Sequence, residues 1–151
     1  MSKIMKIYKM RRISDVGMEW DIHPKKKKPV GHRLALQAKN KVYGQDVLCE
    51  APTLISAEYK NDRLILEFDN AGEGLYIESE NNVLSGAKIR FGEEEIDTNK
   101  LRAEAYGNKV ILYGIREADG VGKVIFGEGG WYIVNLYNSA GIPARPAIAE
   151  F

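Results

Sequence analysis

Residues 53–69 read TLISAEYKNDRLILEFD. Two runs, Thr53 to Lys60 and Arg63 to Asp69, alternate with a period of two around Asn61-Asp62. Asn and Asp tolerate the positive backbone angles that a two-residue hairpin requires, so the stretch predicts a β-hairpin. Downstream the pattern repeats: Leu101 to Tyr106 and Lys109 to Tyr113 flank Gly107-Asn108. Gly86 to Phe91, Val121 to Phe126 and Trp131 to Tyr137 are further short alternating runs bounded by Gly, Asn, Asp or Glu. Some seven strands at a spacing of roughly 8–12 residues predict a mostly β fold, an antiparallel sandwich of the jelly-roll kind or a barrel.

Upstream the period changes. Val30, Leu34, Ala38 and Val42 recur every four residues, with Ala35 widening the stripe and His32, Arg33, Gln37, Lys39 and Lys41 between them. That spacing predicts an amphipathic helix near 29–43. Pro29 suits its first turn, and Gly44 suits a left-handed stop. Ile4 to Asp15 fits neither a strand nor a helix well.

Composition supports a division at this point. Residues 1–48 hold 12 Lys and Arg against 4 Asp and Glu, whereas 49–151 hold 10 against 17. Glycine divides as 3 and 12. The expected organisation is therefore two segments, 1–48 and 49–151. With 44% apolar and 28% charged residues the chain can bury a core. It shows neither a membrane-length apolar run nor a signal-peptide block, which predicts a soluble chain with no membrane partner and leaves its compartment open. A single cysteine, Cys49, excludes an internal disulfide.

Few residues offer chemistry. His32 stands among polar helix positions and reads as solvated. His23 lies in Trp20-Asp21-Ile22-His23-Pro24, just before the helix, and is either an ordinary loop histidine or one that a rigid element projects into a site. Lys25 to Lys28 reads as solvated charge, and no nucleic-acid partner is expected because motif, zinc spacing and aromatic interleaving are all absent. Cys49 beside Glu50 reads as an inert thiol. Glu93-Glu94-Glu95 with Asp97 lacks a calcium-loop spacing and reads as a solvated turn, so no metal is expected. Trp131, Tyr132 and Tyr137 could stack on a sugar, although alternation places at least one aromatic of this run in the core.

Residues 13–44, ISDVGMEWDIHPKKKKPVGHRLALQAKNKVYG, resemble the last conserved block of the sialate O-acetylesterases, carbohydrate esterases of the SGNH hydrolase superfamily. Asn135 to Ala144 (NLYNSAGIPA) is similar to that family's C-terminal block, and Phe68 to Leu75 (FDNAGEGL) to its Phe-Asp…Gly-x-Gly-Leu turn. The resemblance implies a serine esterase that removes acetyl groups from O-acetylated sialic acid or a related carbohydrate through an acyl-enzyme, with no cofactor. In such chemistry an imidazole takes the serine proton and a carboxylate orients the imidazole. By resemblance His23 is the general base. The acid position of the family pattern, three residues before the histidine, is Trp20 here, so either Asp21 orients the imidazole from a shortened loop or the site has lost its acid.

The family's Gly-Asp-Ser nucleophile block is missing. None of Ser2, Ser14, Ser56, Ser79, Ser85 and Ser139 follows Gly-Asp or stands in Gly-x-Ser-x-Gly. With 22 residues before His23, the resemblance implies the C-terminal part of an esterase: 1–48 a remnant of the α/β hydrolase domain, a strand or loop followed by a helix, and 49–151 a β-sandwich. The implied partner is the missing N-terminal hydrolase domain. An apolar patch left exposed by its absence would favour a homo-oligomer. The competing readings are a non-catalytic carbohydrate-binding module and a purely structural sandwich.

Overall fold

The computed structural model describes residues 27–116, 121–128 and 133–151. Asp21, His23, Ile4 to Asp15, Trp131 and Tyr132 lie outside the described residues. In chain order the elements are helix α1 (Lys27–Lys41) and strands β1 (Thr53–Lys60), β2 (Arg63–Asp69), β3 (Tyr76–Ile77), β4 (Ala87–Phe91), β5 (Glu94–Asp97), β6 (Ala103–Tyr106), β7 (Lys109–Tyr113), β8 (Gly122–Phe126), β9 (Leu136–Tyr137) and β10 (Ala147–Glu150).

The 53–69 stretch forms its hairpin, with Asn61 at φ 53° and Asp62 at φ 59°. Two consecutive left-handed residues match the right-handed twist of the flanking strands. The second hairpin turns at Gly107, φ 59°. Pairing of β2 with β7 joins the hairpins into a sheet of order β1-β2-β7-β6. A second sheet has the order β10-β8-β4-β5, and β3 pairs with β9 in a small ribbon. All these pairings are antiparallel.

Both larger sheets contribute to one apolar core. Leu64, Leu66 and Phe68 of β2 and Val110 and Leu112 of β7 meet Ile89 of β4 and Val124 and Phe126 of β8. Phe68 and Phe126 touch edge to face, with centroids 5.6 Å apart, across the two sheets. Burying each such side chain is worth about 2 kcal/mol. A bulge between Leu54 and Ser56 lets β1 serve the same core: Leu54 points inward, Ile55 outward, and Ala57 and Tyr59 resume the inward register.

Three sequence expectations change. Glu94–Asp97 is an edge strand, not a solvated turn. Its register puts Glu95 opposite Arg90 and Asp97 opposite Lys88, so cross-strand charge pairing favours the extended form. Of the run expected over 131–137, the described residues 133–137 are strand at Leu136–Tyr137 only. Ala147–Glu150, not marked by the pattern, closes the second sheet against β8. No described helix is long and apolar enough to cross a membrane.

Candidate functional site: the junction of helix and sandwich

Helix α1 begins four residues after His23, which itself lies outside the described residues. The helix begins and ends close to its expected limits, and Gly44 is left-handed at φ 67°. The face it turns to the sandwich is rotated from the expected apolar stripe toward its polar neighbours Arg33 and Gln37. Arg33 and Gln37 are its most buried residues, at 5% and 1% exposure, whereas Val30, Leu34 and Ala38 are only half-buried and Ala35 and Val42 are exposed. The reason lies in what the sandwich offers: carbonyl groups of loops.

Each polar side chain on this face meets one of those carbonyls or a charge. Arg33 Nη2 donates to the Gly141 carbonyl at 3.2 Å. Gln37 Nε2 donates to the Cys49 carbonyl, and Asn40 Nδ2 to the carbonyls of Val47 at 3.0 Å and Gln45 at 3.2 Å. Lys41 Nζ stands 2.9 Å from Glu50 Oε1, and that bond holds the ammonium above the usual lysine range. Gln37 Oε1 is buried without a hydrogen-bond partner among the described residues.

Asn138, fully buried, organises the loops beneath the helix. Its Nδ2 donates to the carbonyls of Glu50 and Asn70, each at 2.9 Å, and its Oδ1 accepts from the amides of Ala140 and Ile142, each at 3.1 Å. Ser139 Oγ accepts from the Glu73 amide at 2.9 Å. Between them Gly72, at φ 65°, packs so close to Ser139 and Leu48 that a Cβ would collide with both. Residues of all three stretches that carry the family resemblance, 13–44, 68–75 and 135–144, therefore meet at one end of the sandwich.

The described polar groups of the junction are engaged in holding α1. His32 is exposed on α1, as expected, and Cys49 is 4% exposed. Burial, with Glu50 adding to it and Lys41 opposing, pushes the thiol up and keeps it protonated and unreactive. No group of three His, Cys, Asp or Glu residues that could hold a metal is found among the described residues. The candidates His23 and Asp21 lie outside the described residues, as do Trp131 and Tyr132. Tyr137, the remaining stacking candidate, is buried beneath Tyr76, their rings 5.3 Å apart and 16° from parallel. The exposed aromatic at this position is Tyr76. Arg33, Gln37 and Asn138 escape a reading based on polarity; Asn138 alone carries a signal, since Asn-Ser-Ala-Gly is turn chemistry in which an Asn side chain bonds its own backbone two residues on.

A two-sheet antiparallel sandwich with a helix fastened to one end by buried polar contacts is the class that fold and site define. No family model matches the sequence, and the search of curated proteins returns no match. Among solved structures the chain is similar to a carbohydrate acetylesterase from Xanthomonas citri, at 29% identity and a TM-score of 0.68 over 89% of this chain. It covers 30% of that chain, so the similarity concerns a part of the longer protein. The chain thus has a carbohydrate esterase as a structural relative.

Proposed function

We propose that this chain is the C-terminal portion of a serine-type carbohydrate O-acetylesterase of the sialate O-acetylesterase kind, comprising an SGNH-domain remnant over 1–48 and an accessory sandwich over 49–151. The observation that carries this reading is the similarity to 30% of a carbohydrate acetylesterase. His23 is the general base and Asp21 its orienting carboxylate. The serine that attacks the acetyl carbonyl comes from the missing hydrolase domain. His23 takes the proton of that serine, an acyl-enzyme forms as the sugar hydroxyl leaves, and water then releases acetate. The junction supports this reading because it fastens the helix that leads directly from the histidine.

Alone, the 151-residue chain is inactive, since losing the nucleophile of such a unit removes roughly a millionfold in rate. The test joins the chain to the part of the Xanthomonas citri enzyme that it does not cover and follows acetate release from an O-acetylated sialic acid. The expected result is release by the hybrid, none by the isolated chain, and loss in a His23→Ala hybrid. Hydrolysis by the isolated chain, or a hybrid indifferent to His23→Ala, contradicts the proposal.

A further inference from the structure

The outer face of the first sheet carries two cross-strand rows. Register puts Lys60 of β1, Arg63 of β2 and Tyr113 of β7 in line. The Tyr113 amide donates to the Arg102 carbonyl at 3.0 Å, which brings Arg102, just before β6, to the end of this row. The next row runs Glu58, Ile65, Ile111 and Glu104. Both rows face away from the core, because the residues that alternate with them, Leu64, Leu66, Val110 and Leu112, are buried.

Tyr113 organises the first row. Its hydroxyl donates to Glu104 Oε2 at 2.8 Å. The guanidinium of Arg102 lies 4.8 Å from its ring centroid and that of Arg63 5.5 Å, both within cation–π range. Among the described residues neither guanidinium pairs with a carboxylate or donates a side-chain hydrogen bond, and both residues are exposed. The second sheet treats its arginine differently: Arg90 donates to both Glu95 and Glu128. On the first sheet the carboxylate in the row beside Arg102, that of Glu104, is engaged by the tyrosine hydroxyl instead. Two arginines are thus held on one ring with their forked donors unspent, in a segment where acids outnumber bases 17 to 10.

The two rows together suit one class of ligand. An arginine fork takes a carboxylate through parallel N–H donors. Glu104 accepts from hydroxyl groups, and half-buried Ile65 and Ile111 offer an apolar strip beside it. A sugar acid carries all three complements: a carboxylate, hydroxyl donors and a C–H face. An oligoglutamate or a nucleic acid fits less well, because its repeated negative charge would lie against Glu58 and Glu104.

We propose that this face is a subsite for a carboxylate-bearing sugar, a sialic or uronic acid of a glycan, whose carboxylate is held by Arg63 and Arg102 while a hydroxyl bonds Glu104. The proposal deepens the reading that the parent acts on a carbohydrate and rests on it. It names an anchoring point for the glycan remote from the acetyl ester being cleaved.

The test titrates the 151-residue chain with N-acetylneuraminic acid, trigalacturonate, neutral cellotriose and tetraglutamate, following amide, arginine side-chain and tyrosine ring NMR shifts. Saturable shifts at Arg63, Arg102 and Tyr113 are expected with an acidic sugar and absent with cellotriose and tetraglutamate. Response to the first probe alone assigns the subsite to a sialic acid, and response to the second alone to a uronic acid. Arg102→Gln and Arg63→Gln, both at exposed positions that leave the core intact, should each weaken binding roughly tenfold. Lys109→Gln, which removes an exposed cation of the same sheet outside the row, should leave it unchanged. No shift with either acidic sugar, equal shifts with cellotriose, binding of tetraglutamate alone, or equal weakening by Lys109→Gln overturns the proposal. Acetate release by the hybrid is a separate readout, so the subsite and the esterase reading fail separately.

Discussion

The sandwich core and the helix junction are both buried, yet opposite chemistry holds them. In the core Leu64, Leu66, Val110, Leu112 and Val124 are fully buried and contribute through apolar area alone. At the junction the buried groups are Arg33, Gln37 and Asn138, which hydrogen-bond loop backbone. Apolar contacts are non-directional and tolerate sliding, whereas a side-chain amide with four backbone partners admits one geometry. The core supplies stability; the junction supplies a direction for α1.

Substitutions can break this comparison, beginning with the core. Leu66→Ala should cost about 4 kcal/mol and lower the denaturant midpoint of the whole sandwich in one transition. A transition confined to one sheet would show that the two sheets do not share a core. Asn138→Ala should cost less, about 2 to 3 kcal/mol, because it strands the carbonyls of Glu50 and Asn70 and the amides of Ala140 and Ile142 in a dry site. Its damage should fall first on α1, with β2 and β7 retaining their protection.

The smallest effect belongs to the exposed charge cluster on the second sheet. Arg90 and then Lys88 donate hydrogen bonds that hold the Glu95 carboxyl below the usual carboxylate range. A depressed folded-state pKa stabilises the fold above the ordinary carboxylate range and loses that contribution as pH falls through the folded value. Glu95→Gln should therefore remove a slight acid-dependent decline in Tm and leave the neutral-pH curve nearly unchanged, since exposed pairs contribute little. An equal decline in both proteins would assign the acid sensitivity elsewhere.

The two regions also differ in how far the sequence reveals them. Alternation and two turn dipeptides suffice for the hairpins around Asn61-Asp62 and Gly107, because the residue types that permit those turns are few. The helix limits are equally readable from Pro29 and Gly44. Which face of α1 is buried is not, since Arg33 and Gln37 look like solvent residues until loop carbonyls are brought to them by contacts distant in sequence: Gly141 lies 108 residues from Arg33. Glu94–Asp97 is hidden for a related reason, because its extended form depends on Lys88 and Arg90 across the sheet. Tyr137 and Tyr76 look alike in sequence, and only their stacking order separates a buried ring from an exposed one.

Amide hydrogen exchange across residues 35–41, in the parent chain and in Asn138→Ala, tests most directly whether the junction holds α1 to the sandwich. A 15-residue helix is marginal in water by itself, so any strong protection there must come from the junction. The expected result is protection approaching that of β2 and β7 in the parent chain and its selective loss in the variant. Exchange of these amides at unprotected rates in the parent chain, while β2 and β7 remain slow, would contradict the account.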